Sequence, residues 1–263
     1  LTRSLFPVRI AQCKQIATPS AGGESTMISG DSSLSVTIVP SYPLPAPFEL
    51  YQQLRNLDAS YVGEILNPPE NVDNYYTEKN KVLNLGTYAA DLCYVSTYQK
   101  KQEIQLYSGN VKLLMDDLSM TVSFADLNSN EIKHKLDNND TLVSIVSGIF
   151  YDAYSALAKD GDPALAALML TGIWSEGIYI ATHILSDTYT VDEMIEVINN
   201  QRSSLEMVLD LLMKTKGNEI TNSLRKALLN IKAIYEETEG SLTKEQLHQI
   251  TRAIENIRSS IIS

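Results

Sequence analysis

Two long apolar segments organise this chain, residues 81–98 and 164–185, and each is crossed by two polar residues seven positions apart. Asn84 and Asp91 mark the first, Glu176 and His183 the second. Seven residues is nearly two turns of α-helix, so each pair shares one line about 10 Å long, among residues that burial would otherwise claim. Polar groups in that setting need partners. The two segments are therefore expected at the centre of an all-helical domain, where any chemistry would also have to sit.

Helix signals follow one another along the rest of the chain. Residues 48–66 read as a broken helical region, interrupted near Asp58 and stopped by Pro68-Pro69. The pattern then predicts a long helix over 72–99, a second over 102–118 and short helical material over 126–136. Asp140 is placed to cap a helix over 141–159, and Asp162-Pro163 sets an N-cap before a first-turn proline that opens 164–185. Thr190 to Glu193 and Thr243 to Gln246 both have capping-box spacing, and Gly217 and Gly240 stand where helices should stop. Three amphipathic helices are expected over 191–216, 218–238 and 243–261. In the middle one, Ile220, Leu224, Ala227, Leu228, Ile231 and Ile234 make a single apolar face. No fixed-period repeat supports a solenoid.

Residues 1–46 differ in texture. Ser, Thr, Gly and Pro dominate 18–33, and Pro40, Pro43, Pro45 and Pro47 punctuate the exit. This predicts an extended arm or tether packed on the body, with room for one short strand at 34–39 (Leu-Ser-Val-Thr-Ile-Val). The expected fold is thus all-α: a multi-helix bundle of about seven to nine helices over 47–263, with an extended N-terminal arm over 1–46.

Composition narrows the partners more than the chemistry. The 263 residues are 44% hydrophobic, enough for a sizeable core, and 21 basic against 32 acidic residues leave a net charge of −11. That charge repels phosphate backbones and anionic lipid surfaces, and the basic residues form no stripe, so nucleic acid is set aside. Cys13 and Cys93 are too few for a disulfide scaffold or a four-ligand zinc site. Cys93, among Leu92, Tyr94 and Val95, reads as a small core hydrophobe. The run Ile10-Ala11-Gln12-Cys13 approaches the pattern before a lipid-modified cysteine. Gln12, however, replaces the usual small residue, and Arg3 and Arg9 interrupt the apolar run. A chain opening on Leu1 reads as a trimmed or mature form. Residues 164–185 are long enough to cross a bilayer, but Glu176 near their middle would be expensive in lipid, so a buried helix of a bundle is expected.

The candidate chemistry lies on two stripes. At 100° per residue Met169, Gly172, Glu176, Tyr179 and His183 fall on one line, while Asn84 and Asp91 lie between Tyr88, Val95 and Tyr98. Glu176 reads either as a general acid or base of raised pKa or as a structural acid bonded to a tyrosine or a helix end. Asp91 reads most simply as an acceptor for tyrosine hydroxyls. If the stripes face each other, Asn84, Tyr88, Asp91, Tyr98, Glu176, Tyr179 and His183 form one internal network, and a ligand pocket becomes conceivable. Glu131-x-x-His134 and Glu245-x-x-His248 match the spacing of di-iron bundles, but the apolar faces beside them turn those residues outward. No phosphate loop, dinucleotide fingerprint, nucleophile elbow or Cys-x-x-Cys is present. Neither a cofactor, a metal nor a catalytic residue is assigned.

Two strings carry a resemblance: Asn84-Leu85-Gly86-Thr87-Tyr88-Ala89-Ala90-Asp91-Leu92-Cys93-Tyr94 and Thr171-Gly172-Ile173-Trp174-Ser175-Glu176-Gly177-Ile178-Tyr179-Ile180-Ala181-Thr182. Together with Pro69-Glu70-Asn71 ahead of the first string and the polar N-terminal tether, they resemble helical envelope lipoproteins of Bacteroidetes-type bacteria, a group of unknown function, over residues 48–215. The resemblance implies export and attachment through an N-terminal lipid, hence a periplasmic or outer-membrane-anchored location. It carries over no catalytic residue. The expected function is a non-enzymatic binding or scaffold protein of the cell envelope, acting on an envelope protein or a small ligand. The alternative is a small-molecule receptor or hydrolase-like enzyme built on the buried carboxylates. A further possibility is oligomerisation through the amphipathic C-terminal helix.

Overall fold

The chain divides into two units, Leu1–Ser41 and Tyr42–Ser263. The computed structural model describes residues 47–120, 139–160, 163–184, 191–215, 219–238 and 240–263, with the backbone alone at 139–145, 159–160 and 191. Among these residues there are nine α-helices and no strand. They are α1 (Pro47–Asn56), α2 (Glu78–Thr97), α3 (Lys101–Asp117), α4 (Asn139–Asp160), α5 (Pro163–His183), α6 (Val191–Asn199), α7 (Arg202–Lys214), α8 (Glu219–Glu236) and α9 (Lys244–Ile262). Two short 3₁₀ turns, Gly63–Ile65 and Pro69–Asn74, lie between α1 and α2. The arm with its expected strand, Cys13, and the segment containing Glu131 and His134 lie outside the described residues.

The all-α expectation holds, and the differences are at the boundaries. The helix expected from 72 starts at Glu78, because Thr77 caps it by accepting the Asn80 N–H at 3.2 Å, while Pro69–Asn74 forms a separate 3₁₀ turn. The helix expected over 191–216 is two, α6 and α7, broken at Asn200-Gln201. There the Ile198 carbonyl accepts the Tyr235 hydroxyl at 2.7 Å and the Gln201 N–H at 3.0 Å. The helix expected from 141 already runs at Asn139, so Asp140 stands inside α4 and not before it. Thr243 and Gln246 form the expected capping box of α9.

Helices α1, α2 and α3 stop without glycine. Asp58 (φ 59°), Gln99 (φ 56°) and Ser119 (φ 54°) each take the left-handed conformation just past a helix end. Around each, the two hydrogen bonds of a Schellman motif close. Ala59 and Asp58 donate to Leu54 and Arg55, Lys100 and Gln99 to Val95 and Ser96, and Met120 and Ser119 to Met115 and Asp116.

The centre of the fold is the pair α2 and α5. Every residue from Val82 to Thr97 and from Ala164 to Ile178 is buried, so neither helix has a solvent face in these stretches. They touch backbone to backbone. A Cβ on Gly86 would stand 2.1 Å from the Met169 carbonyl oxygen, and one on Gly172 would stand 2.1 Å from that of Leu83. Only hydrogen fits at either position, which leaves a glycine Cα–H facing a carbonyl across the interface. Around this pair, α3 packs on α2, α1 and α4 each bridge α2 and α5, and α7 and α9 lie on α5 with α8 joining them. The apolar length of α5 would cross a membrane, but 94% of its most apolar window is buried by the other helices.

Replacing either Gly86 or Gly172 by alanine should therefore force the central helices apart and destabilise by about 1–3 kcal/mol or more. In the outward-facing Gly109 of α3, where nothing lies within 4 Å of an added Cβ, alanine should instead stabilise by about 0.5–1 kcal/mol. Urea unfolding of the three variants checks both signs.

Candidate functional site

One turn beyond the crossing on each central helix, Asp91 and Glu176 come together. Asp91 has no exposed surface and Glu176 is 1% exposed. Neither sits alone. Arg258 of α9 reaches between the helices and holds Glu176 in a fork, its Nε 2.8 Å from Oε2 and its Nη2 3.0 Å from Oε1. A further N–H on Nη2 donates to the Ile65 carbonyl at 2.9 Å, and the guanidinium lies 3.9 Å above the Tyr179 ring. A planar fork with this many donors fits a carboxylate in a way that an ammonium does not.

Asp91 differs sharply. Both its oxygens are buried and accept no hydrogen bond from any described N–H or O–H. The Asn67 backbone N–H approaches and favours the ionised form, short of a formed bond. Burial first and the Glu176 charge second push the Asp91 carboxyl well above the ordinary aspartate range. Glu176 is also raised by burial, against the pull of Arg258. Contact between the two acids raises Asp91 and lowers Glu176, so Asp91 is the readier of the two to hold a proton. With a proton on Asp91 the cluster holds one carboxylate against one guanidinium.

The other expected members of the network go elsewhere. Asn84 donates to Ile261 at 2.8 Å and to Asn80 at 3.0 Å, tying the last turn of α9 to α2. Tyr88 and Tyr98 do not bond Asp91 at all, and their hydroxyls donate to the carbonyls of Pro68 and Ala59. Tyr107 donates to Asn67, and Tyr94 accepts the Val62 N–H. These tyrosines clamp the irregular chain between α1 and α2 onto the helices, because that stretch has carbonyls which no helix satisfies. Tyr179 and His183 form the rim. Their rings stack at 3.9 Å, and His183 Nε2 lies 3.1 Å from Glu255 of α9. His183 and Glu176 are thus linked through Tyr179 and Arg258.

Sequence reasoning brought the two acids together and missed the base. Arg258 follows Ile254 by one turn and adjoins Ile257, both on the buried stripe of α9, so a cation beside that stripe was the available clue. Glu245 and His248 are exposed, with Leu247 turned inward between them, and no group of metal-ligating side chains gathers among the described residues.

Chemically, the cluster is closed. A carboxyl with no accessible surface has no space beside it even for water, and a carboxylate forked by arginine is a poor base. Arg258→Met should leave Glu176 buried without its counter-charge and cost about 3–5 kcal/mol in urea unfolding at neutral pH. Arg258→Lys should recover only part of this, while Glu176→Gln added to Arg258→Met should recover stability relative to Arg258→Met alone. Compared with protein-family models, with curated proteins and with solved structures, the chain matches none.

Proposed function

We propose that this protein is a non-enzymatic helical scaffold or binding protein of the cell envelope, with its core acids serving architecture and its surface serving partners. The observation that carries the non-enzymatic reading is the sealed pairing of Asp91, Glu176 and Arg258. An active site needs its acid or base within reach of substrate, directly or through one water. The competing reading, a receptor or hydrolase-like enzyme using these carboxylates, requires a passage that their burial does not provide.

Surface features fit binding better. An open groove of about 330 Å³ runs between α8 and α9, bordered by Ser223, Ala227, Asn230, Ala253, Asn256 and Ser260. A second, of about 310 Å³, lies between α1 and α6 beside Gln53, Asn56, Glu193 and Asn200. Both are at the lower end of ligand-site volumes and both are open. The envelope location rests on the two strings around Asp91 and Glu176 that resemble envelope lipoproteins. The net charge of −11 sets nucleic acid aside as a partner.

Thermal unfolding of wild type, Glu176→Gln and Asp91→Asn with a panel of metabolites, glycans and metal salts tests the first part. The expected result is that no panel member raises the midpoint in a way that depends on either acid. A compound that raises the wild-type midpoint and neither variant's would sink the scaffold reading. Fractionation of the protein in its native host tests the second part, with recovery in the periplasmic or membrane fractions expected and recovery in the cytosol contradicting it.

A further inference from the structure

Helix α9 is attached to the centre of the fold in two different ways. One is a non-directional apolar stripe, including Ile250, Ile254, Ile257 and Ile261, all buried. The other is polar: Arg258 to Glu176 and Ile65, Asn84 to Ile261, and Glu255 to His183. The polar attachment runs through a carboxylate whose neighbour, Asp91, has two buried oxygens and no donor.

We propose that a proton held by buried Asp91, beside the Arg258-forked Glu176, is a latch on α9. While Asp91 is protonated, the charge of Glu176 is matched by Arg258 and α9 stays seated. Loss of that proton sets two buried carboxylates against one guanidinium and releases the helix from α2 and α5. Release uncovers the isoleucine stripe of α9. The inference concerns how α9 is held and does not depend on the scaffold reading.

The surroundings of Asp91 leave it as the group that responds. Tyr51 faces it from α1, Tyr61 and Tyr75 from the chain between α1 and α2, Tyr88 and Cys93 from α2 itself, and Tyr107 from α3. All six are pushed upward, chiefly by burial, and stay neutral when carboxyls titrate. The described buried face of α4 adds Tyr154 to otherwise apolar side chains. From α5 comes Glu176 and from α9 Arg258, whose proton, against the opposing effect of burial, is held more tightly by Glu176 and Asp91. His183 and Glu255 stand at the rim.

A carboxyl that binds its proton more tightly in the closed state than in the open one stabilises the closed state at low pH. That contribution is lost as pH rises through the closed-state value. Between the ordinary open-state value and that closed-state value one proton is released to solvent on opening, so there the opening constant of α9 rises by up to tenfold per pH unit, and above the closed-state value it levels off. Asparagine at position 91 keeps the shape and a donor towards Glu176 but cannot ionise.

Hydrogen exchange of α9 amides, read by mass spectrometry in wild type and Asp91→Asn at matched pH values from about 5 to about 9, tests the latch. Taking the ratio of the two proteins cancels intrinsic exchange and whatever else both proteins share. The ratio is expected to rise at least tenfold in favour of wild-type opening from the acid end to the alkaline end, levelling off above the closed-state value. A ratio that stays within twofold throughout overturns the proposal. Should Asp91→Asn fail to fold, infrared spectra of wild type decide. A protonated-carboxyl C=O band present at neutral pH and lost on alkalinisation supports the latch, and its absence at neutral pH overturns it.

Discussion

The contact on which the rest of this structure depends is the one with nothing in it: the approach of α2 to α5 where Gly86 and Gly172 each meet a carbonyl of the other helix. Two helices this close leave no layer of side chains between them, so their neighbours on all other sides must supply the burial. That is why both read as apolar all round and why seven other described helices arrange themselves about them. The same approach brings Asp91 and Glu176, a short step further along each helix, into contact. The acid pair is a geometric consequence of the glycines.

Closing such a centre demands polar partners more than apolar ones. The isoleucines of α9 supply adhesion but tolerate sliding, whereas the Arg258 fork, its bond to Ile65 and the Asn84 bond to Ile261 are all satisfied together in one register. A buried ion pair is weak grounds for stability, since removing charges from water costs several kcal/mol per ion. Its contribution here is to fix where the last helix sits. The tyrosines do related work on the other flank, where Tyr88, Tyr98 and Tyr107 each spend one hydroxyl on a carbonyl of the non-helical chain between α1 and α2.

How much of this was legible follows from which features are local. The helices, the capping box at Thr243 and the burial of α2 and α5 all arise from patterns within a few turns, and the sequence displays them. The acids were conspicuous because they interrupt apolar segments. Arg258 was not, because a long cationic side chain beside an apolar stripe ordinarily lays its stem on the surface and turns its head to water. What draws it inward is a carboxylate 82 residues away. The ends of α1, α2 and α3 were indistinct for another reason. Asp58, Gln99 and Ser119 adopt a conformation that glycine or asparagine usually announces, and the closing hydrogen bonds, not the residue type, hold them there. Tyr88 and Tyr98 were expected to serve Asp91, but backbone carbonyls with no helical partner claimed them first.

The sequence distance between Glu176 and Arg258 also orders the birth of the molecule. As the chain emerges during synthesis, α2 and α5 are complete and able to meet long before Arg258 exists, since it follows Glu176 by 82 residues and Ile65 by 193. Throughout that interval Glu176 must either stay in water or enter the nascent core carrying a proton. Only when α9 docks does Glu176 meet its counter-charge. The interior charge pair of this core is therefore completed only after the two central helices exist, when α9 arrives.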